Sequence, residues 1–385
     1  MNKKQAILIL VSIFLILILL ISFQVGYNLR QPPKVGSPNF FFGVDAAYSG
    51  VNDLKKLVDE VKSYTNLFII GSTEITMNLT QLQDVSQYVI DGGLYLVIFT
   101  HFEMGSSIAQ WINNASQNWG TKFLGVYAYD ELGGRQLDHD ETYMQVKQAN
   151  NYSDAADKFV SSLNKGLTHF MQYYMMTSDQ NLLTSDYALY WFDYKAGYNT
   201  VLSEFIWNYS RQLAIALNRG AATVQNKNWG AIIDWTYNDM PYIESGPELY
   251  NDMVLAYQNG AKYVTIFNYP NNSTFGILKK EHLQAMQQFW QYIKNNPQPS
   301  STVDDRAAYV LPKDYGYGFR GPDDKIWGLW SADNLTYQIG NEVGNALEKY
   351  GRKLDVIYDD GLTPTNTAMY RQLIFWNGTI RNSLK

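Results

Sequence analysis

The most informative stretch of the chain is Phe123-Leu124-Gly125-Val126-Tyr127-Ala128-Tyr129-Asp130-Glu131-Leu132-Gly133-Gly134. Residues 123–129 are apolar without alternation, which is typical of a parallel strand buried on both faces. Two carboxylates follow directly, and the glycine pair lets the backbone turn close to a ligand. The stretch therefore predicts a buried strand with acidic chemistry at its carboxyl end.

Similar apolar runs flank this one, with amphipathic helix patterns between them. They cover residues 40–45, 67–71, 95–100, 188–193, 200–205, 231–235 and 263–268. Eight parallel strands alternating with helices predict an α/β fold, a (β/α)8 TIM barrel over residues 39–297. That span has 259 residues, where such barrels typically have about 250. The run at 200–205 is also compatible with the first turn of the next helix.

A smaller domain is expected at residues 298–385, after the Pro-containing linker 295–301. Apolar runs at 307–311, 354–358 and 373–376, with a helix over about 334–349, predict half of a flavodoxin-like α/β sheet.

The N-terminus has the pattern of a membrane anchor. Lys3 and Lys4 precede an apolar run of 18 residues, 6–23, which at about 1.5 Å per residue reaches across a bilayer. We expect an uncleaved transmembrane signal anchor over 1–24 and a stiff tether over 25–38. Because positive flanks stay in the cytoplasm, the bulk of the chain is expected to be extracellular, with a single pass through the cell membrane.

Glycosylation sequons agree with that orientation. Asn-x-Ser/Thr occurs at Asn78, Asn114, Asn151, Asn208, Asn271, Asn272, Asn334 and Asn377. An extracellular glycoprotein is therefore expected.

Composition and motifs exclude several classes. The absence of Cys removes disulfides and thiolate metal sites. With a net charge of −6 and no basic face, no nucleic-acid partner is expected. Residues 316–321 fit G-x-G-x-x-G, but Pro322 stands where a helix should open. Because H-E-x-x-H is also missing, we expect no cofactor and no metal. The sequence gives no indication of the oligomeric state.

The residues that follow the predicted strands are acidic and aromatic, and in such barrels this end carries the site. Aromatic rings stack on the C–H faces of sugars, while carboxylates bind sugar hydroxyls. The candidate substrate-binding residues are Asp45, His101, Glu103, Tyr127, Tyr190, Asp193, Trp235 and Tyr237. A carbohydrate partner is therefore expected.

Cleavage of a glycosidic bond needs two carboxyl groups, one protonated and one ionised. Glu131 is the candidate general acid/base, because the neighbouring carboxylate of Asp130 should raise its pKa. For the partner carboxylate we expect Glu204 first and Asp234 second, since both follow strands across the barrel from the fourth.

These residues resemble those of glycoside hydrolases over positions 39–385. The acid pair after strand four, followed by a small Rossmann-like domain, is similar to barrel β-galactosidases with a flavodoxin-like second domain. The stretches Asp130-Glu131-x-Gly133-Gly134 and Trp327-Gly328-Leu329-Trp330 are also similar to those of archaeal surface proteins. The resemblance implies acid/base chemistry at Glu131.

The large retaining clan carries Asn-Glu after strand four and Glu after strand seven, where this chain has Asp130-Glu131 and Asp234. A retaining, an inverting and a substrate-assisted reaction therefore all stay open.

The leading expectation is a membrane-anchored extracellular glycoside hydrolase acting on surface or environmental glycans. The alternative is a catalytically inactive barrel that serves as a glycan-binding or structural protein of the cell envelope.

Overall fold

The computed structural model of the protein describes residues 39–100, 106–138, 144–173, 180–236, 242–298 and 306–382. From Phe40 onward the chain forms one compact unit. The predicted anchor and tether, residues 1–38, lie outside the described residues. Among the helices within those ranges, none is both long and apolar enough to cross a bilayer.

Eight parallel strands close into a barrel in chain order, which confirms the predicted (β/α)8 architecture. They are β1 Phe41–Ala46, β2 Leu67–Ile70, β3 Tyr95–Thr100, β4 Phe123–Asp130, β5 Asn181–Asp186, β6 Thr200–Phe205, β7 Asn228–Ile233 and β8 Tyr263–Asn268. Thr200–Phe205 is thus a strand, and β7 begins three residues earlier than its predicted position 231.

Helices alternate with these strands. They are α1 Val51–Val61, α2 Thr73–Thr76, α3 Leu79–Asp91, α4 Ser106–Trp119, α5 Leu132–Leu137, α6 Tyr152–Tyr173, α7 Tyr190–Ala196, α8 Arg211–Val224, α9 Gly246–Gln258 and α10 Lys280–Asn295. In α1 the buried residues Leu54, Leu57, Val58 and Val61 follow helical spacing and cover the barrel.

The fifth strand was predicted in the wrong place. Residues 188–193 were expected to form it, but β5 ends at Asp186, and Tyr190–Ala196 is the helix α7. Trp191 and Phe192 are buried there against Tyr358, with ring centroids 5.2 Å apart in both pairs. The aromatic run thus packs against the C-terminal part of the chain, so its apolar character reflects a buried helix.

Side-chain alternation along the strands decides which residues face the barrel interior. The interior is filled by a separate apolar cluster: Phe41, Leu67, Ile69, Val97, Phe99, Tyr127, Leu183, Leu202, Ile232 and Tyr263. Asp45 is four residues beyond Phe41, and Glu204 and Asp234 are two residues beyond Leu202 and Ile232. These carboxylates therefore lie on the inward side, nearer the carboxyl ends of the strands.

A second sheet follows the barrel. It has the order β10-β9-β11-β12, with β9 Ala307–Leu311, β10 Leu354–Tyr358, β11 Gln372–Phe375 and β12 Ile380–Asn382. Helix α11, Asn334–Tyr350, connects β9 to β10, and the short helix α12 is Pro364–Thr367. The first three strands are parallel, whereas the unpredicted β12 is antiparallel.

The two sheets are joined by a buried ionic network between α8 and β10. Arg219 of α8 donates to Asp355 of β10 at 2.7 Å, and Arg306 donates to the other Asp355 oxygen at 3.0 Å. The adjacent Gly220 allows close approach, because a Cβ there would lie 2.4 Å from the Val356 carbonyl oxygen. The second sheet therefore packs directly on a barrel helix.

Candidate functional site

Five carboxylates lie at the carboxyl end of the barrel: Asp45, Asp130, Glu131, Glu204 and Asp234. We call them the acidic cluster. Asp45 and Glu204 are buried, at 3% and 4% exposure, and Asp234 is half-buried directly after β7. Asp130 is the last residue of β4, and Glu131 directly precedes α5. These two carboxylates form the more exposed side of the acidic cluster.

Glu204 is held by a chain of hydroxyl groups that runs across the neighbouring strands β4, β5 and β6. Ser185 Oγ donates to Glu204 Oε1 at 2.5 Å. The Tyr127 hydroxyl lies 2.5 Å from the same Oγ and donates to it, since the serine proton is directed at the carboxylate. Tyr127 thus lies beneath the acidic cluster, where it orients Ser185 and Glu204.

The backbone at the end of β4 is strained. Tyr129 and Glu131 have φ angles of 59° and 57°, in the left-handed region that residues with a Cβ rarely adopt. The β4–β5 register also shifts between Tyr127 and Asp130. Such strain costs roughly 1–3 kcal/mol per residue and persists only when the surroundings enforce it.

Asp186, which sequence reasoning missed, holds this turn in place. Its Oδ2 accepts a hydrogen bond from the Gly133 N–H at 2.5 Å, and its Oδ1 accepts from the Gly134 N–H at 2.8 Å. The same Oδ1 accepts from the N–H groups of Tyr187 and Ala188. One buried carboxylate therefore fixes both the α5 turn after Glu131 and the loop after β5.

The glycine pair of that turn is required sterically. A Cβ at position 133 would lie 2.7 Å from the Ala188 carbonyl oxygen, and one at position 134 would lie 2.0 Å from the Tyr187 ring. The sequence predicted that Gly133 and Gly134 let the backbone turn close to a ligand. In the structure they let it pack closely against the loop after β5.

Asp193 and Tyr190 do not follow a strand, contrary to the prediction; both are buried on α7. The Asp193 carboxyl is hydrogen-bonded to Asp186, and neither Asp193 oxygen accepts a hydrogen bond from a donor among the described residues. Burial and then the Asp186 charge raise the pKa of Asp193 well above its ordinary value. Asp193 is therefore a neutral acid that donates to Asp186.

Burial, and then neighbouring carboxylates, raise the pKa values of Glu131, Glu204 and Asp234. Burial is the main cause for Glu131, followed by the Asp130 carboxylate as predicted, while Arg135 opposes both through a hydrogen bond of 2.9 Å. Burial and then the Glu131 charge raise the pKa of Glu204 and of Asp234 well above their ordinary values. These carboxylates therefore interact electrostatically.

Asp45 joins this group from the opposite side of the barrel. Burial and the Asp130 carboxylate raise its pKa to about 8. Its neighbour Gly71 leaves room for it, since a Cβ there would lie 2.2 Å from Asp45 Oδ1.

Aromatic side chains border the acidic cluster. The Trp235 ring is stacked on Tyr269 with centroids 4.8 Å apart and meets Tyr242 edge-on at 5.3 Å. Tyr48, which sequence reasoning missed, follows β1 with φ at 52° and an exposure of 67%. Partial burial and then the Asp130 carboxylate raise the pKa of its hydroxyl, although most of the side chain is open to solvent.

The segment between β9 and α11 packs against α5. Arg320 forms ion pairs with Asp324 at 2.7 Å and with Asp138, which follows α5. Gln136 of α5 donates its amide to the Trp327 carbonyl oxygen at 2.9 Å, although 191 residues separate the two. The C-terminal part of the chain therefore supports the helix that Glu131 precedes.

Three predicted site residues, His101, Glu103 and Tyr237, lie outside the described residues. Among the side chains that the structure describes, no group of three or more His, Asp or Glu residues is arranged to hold a metal ion.

No protein-family model matches the sequence, and no curated protein matches it either. Solved structures with a similar fold include α-L-fucosidase isoenzyme 2 from Paenibacillus thiaminolyticus, with 7% identity and a TM-score of 0.53 over 87% of this chain and 59% of that one. A family 1 β-glucosidase from Thermotoga maritima has 7% identity and a TM-score of 0.41 over 68% and 99% of the two chains.

A glycoside hydrolase domain from Bordetella bronchiseptica has 8% identity and a TM-score of 0.41 over 68% of this chain and all of that domain, 100%. This chain spans 59% of the fucosidase, and at 7% identity the likeness extends to the fold. The barrel is thus similar to one found in a glycoside hydrolase.

Proposed function

We propose that the protein is a glycoside hydrolase that uses the acidic cluster at the carboxyl end of its barrel. The observation that carries the proposal is that Glu131, Glu204 and Asp234 all lie at the carboxyl end of the barrel, where the Glu131 charge raises the pKa of the other two. Because a glycosidic bond is cleaved between two carboxyl groups in different protonation states, such a group of interacting carboxylates suits the reaction.

Glu131 is the proposed general acid/base. Its raised pKa favours the protonated form, which would supply the proton for the leaving-group oxygen. Glu204 and Asp234 are the proposed partner carboxylates, of which one ionises to attack the anomeric carbon or to activate water. Asp130 raises the pKa of Glu131 and adds negative charge that stabilises an oxocarbenium-like transition state.

Tyr48 and Trp235 are the proposed sugar-binding rings. Both lie beside the carboxylates, and the exposed face of Tyr48 is available for stacking on the C–H face of a sugar.

We further propose that residues 1–24 anchor the chain in the cell membrane and that the rest is extracellular. The sequon asparagines support this, because seven of the eight are exposed and Asn271 is half-buried. Protease treatment of intact cells should remove the C-terminal part; full protection would contradict the orientation.

The central test is a substitution at Glu131 in a soluble form that begins at Gly36. We expect the unsubstituted protein to release sugar from a member of a glycan panel, and Glu131→Gln to abolish release. Loss of a general acid/base typically lowers the rate by about 10²–10⁴-fold. The matched control is Glu348→Gln on the exposed face of α11. Activity retained by Glu131→Gln would reject the assignment.

A glycan-binding barrel without activity is the second candidate, and the Arg135 hydrogen bond to Glu131 favours it. An arginine partner stabilises the ionised carboxylate, whereas a general acid must hold a proton. Binding of a glycan without turnover, unchanged in Glu131→Gln, would support this candidate.

A further inference from the structure

We infer that the amino end of the barrel, together with the adjoining end of the second sheet, binds the surface of an anionic membrane. The inference goes beyond the proposed function. It does not depend on the proposed anchor either, because it concerns residues of the compact unit that begins at Phe40.

Cations are concentrated in the connections that lead from a helix into the next parallel strand. In a barrel these connections lie at the amino ends of the strands, opposite the end that carries the site. Those that the structure describes completely are residues 62–66, 92–94, 120–122, 197–199, 225–227, 259–262, 351–353 and 368–371. The other two, 174–180 and 296–306, extend outside the described residues.

The completely described connections contain no Asp or Glu, although the chain has 36 acidic and 30 basic residues. They contain seven cations: Lys62, Lys122, Lys227, Lys262, Arg352, Lys353 and Arg371. The last turns of the long helices add Lys294 and Lys349, against the carboxylates Asp59, Glu60, Asp91 and Glu348. We call these nine cations the basic face. It was not expected from the sequence, because its members are far apart along the chain and only the fold brings them to one end.

The barrel and the second sheet present these cations on the same side. Arg219 of α8 donates to Asn259 Oδ1, in the connection before β8, at 2.8 Å. It also donates to the Arg352 carbonyl oxygen, before β10, at 2.9 Å. Arg352 in turn donates to Gln258 at the end of α9. The connections before β8 and β10 are therefore neighbours on one surface.

Three lysines of the basic face receive no charge compensation from the described residues. Lys122 and Lys262 donate to neutral oxygens, those of the Gly93 backbone and the Asn228 side chain. Burial is the one cause that shifts the pKa of Lys122, Lys227 and Lys262, and it lowers all three. An anionic partner would supply the missing counter-charge.

A groove at the end of the second sheet suits a single anionic headgroup. It has a volume of about 610 Å³ and is bordered by three exposed cations, Lys349, Lys353 and Arg371. None of its described lining residues is acidic. Among them, Gln372 accepts a hydrogen bond from the Tyr350 hydroxyl and donates its amide to Asn382 at 2.8 Å. Cations beside fixed polar groups are the surroundings in which a lipid phosphate binds.

A membrane fits the basic face better than a small ligand does. The cations are spread over both sheets, so a flat anionic surface can interact with them together. The compact unit also begins at this end, since the Phe41 N–H donates to the Lys262 carbonyl oxygen at 2.9 Å. The acidic cluster lies at the opposite end, where an anionic surface repels it. Binding through the basic face would therefore leave the acidic cluster open to glycans from the surroundings.

The experiment measures binding of the form that begins at Gly36 to lipid vesicles. This form lacks the proposed anchor but keeps the whole compact unit. Vesicles of phosphatidylcholine alone are compared with vesicles of phosphatidylcholine and phosphatidylglycerol in equal amounts, by sedimentation at low and high salt.

We expect the protein to sediment with the anionic vesicles only, and binding should weaken as salt is added. Each cation near an anionic membrane strengthens binding by about fivefold, which corresponds to about 1 kcal/mol. Equal binding to both kinds of vesicle, or binding to neither, would contradict the inference.

Charge-neutralising variants locate the surface. A triple variant with Lys349→Gln, Lys353→Gln and Arg371→Gln removes the cations of the groove and should lower the affinity by about tenfold or more. The matched control changes three exposed lysines that follow the carboxyl ends of β8 and β9, and it should retain the affinity: Lys280→Gln, Lys313→Gln and Lys325→Gln. Equal loss in the two triple variants would overturn the assignment to the basic face.

An acidic polysaccharide is the alternative partner. Binding of heparin without binding of either kind of vesicle would show that the basic face serves a polymer, and the membrane assignment would be wrong. Glycan release is measured separately, so a protein that binds anionic vesicles but releases no sugar supports the inference and contradicts the hydrolase proposal.

Discussion

Glu131 depends on residues outside its own strand for its position. Its left-handed backbone is held by the N–H groups of Gly133 and Gly134, which donate to Asp186, and Asp193 donates its proton to the same carboxylate. The candidate acid is therefore fixed by a buried carboxyl pair from β5 and α7.

The two members of this pair should respond differently to amide substitution. In Asp186→Asn, one N–H acceptor becomes an NH₂ group that opposes the backbone donors, so we expect a loss of about 1–3 kcal/mol in the free energy of unfolding. In Asp193→Asn, the new amide can still donate to Asp186, and we expect a change below about 1 kcal/mol. Urea unfolding measures both.

Equal losses in the two variants would contradict the assignment of the proton to Asp193. If glycan release is established, Asp186→Asn should also lower it, because the turn after Glu131 loses its anchor.

The sequence predicted some of the residues of the site. Asp45, Asp130, Glu131, Glu204 and Asp234 could be predicted because each ends or follows an apolar run. Asp186 could not, because β5 has only two strongly apolar residues, Leu182 and Leu183, between polar neighbours. Tyr48 was missed because one tyrosine in a loop has no periodic signal. A search for carboxylates within three residues of every short apolar pair would have found Asp186.

Most strands with continuous apolar runs were predicted close to their observed positions. The structure of the other elements depends on contacts with distant parts of the chain. The aromatic residues of α7 suit a strand in isolation, yet they form a helix because Tyr358 and Trp327 of the C-terminal part pack against them. Strand β12 escaped prediction because its three residues, Ile380–Asn382, are all exposed. It forms only through pairing with β11.

Alanine substitutions at two helical glycines test how closely α8 packs against β10. Replacing Gly by Ala within an unobstructed helix stabilises a protein by about 0.4–1 kcal/mol. Gly344 of α11 has no atom within 4 Å of the position that a Cβ would occupy, so Gly344→Ala should raise the free energy of unfolding. Gly220→Ala should lower it by about 1–3 kcal/mol, because the new methyl would overlap the Val356 carbonyl.

Thermal or urea unfolding of both variants measures this difference of sign. Stabilisation by Gly220→Ala would show that α8 and β10 are less closely packed than the structure indicates.

The whole molecule carries an unusual number of carboxyl groups whose pKa is raised by folding. Burial raises the pKa of Asp45 and of Glu244 to about 8, and that of Asp186 to about 7, from ordinary values of 3.8 to 4.5. The native state therefore keeps protons that the unfolded chain loses. The stabilisation that these protons provide is complete at a pH below the ordinary pKa values. It is lost as the pH rises through the raised pKa values of the native state.

We therefore expect the free energy of unfolding to fall between pH 4.5 and about 8. Melting temperatures recorded across this window check the direction. Asp45→Asn should flatten the decline, because an amide does not titrate. Stability that rises across the window would contradict the raised pKa values.

The contact between Gln136 and Trp327 also has a consequence for synthesis. As the chain emerges from the ribosome, the barrel strands are all available before residue 306 appears. Helix α5 cannot obtain this hydrogen bond until another 191 residues after Gln136 have been translated, and Asp138 obtains Arg320 only 182 residues after its own synthesis. The surface of α7 that Tyr358 covers is exposed for longer still. A nascent barrel would therefore expose an apolar surface for chaperones to shield. Stalled or truncated chains should be removed by proteolysis.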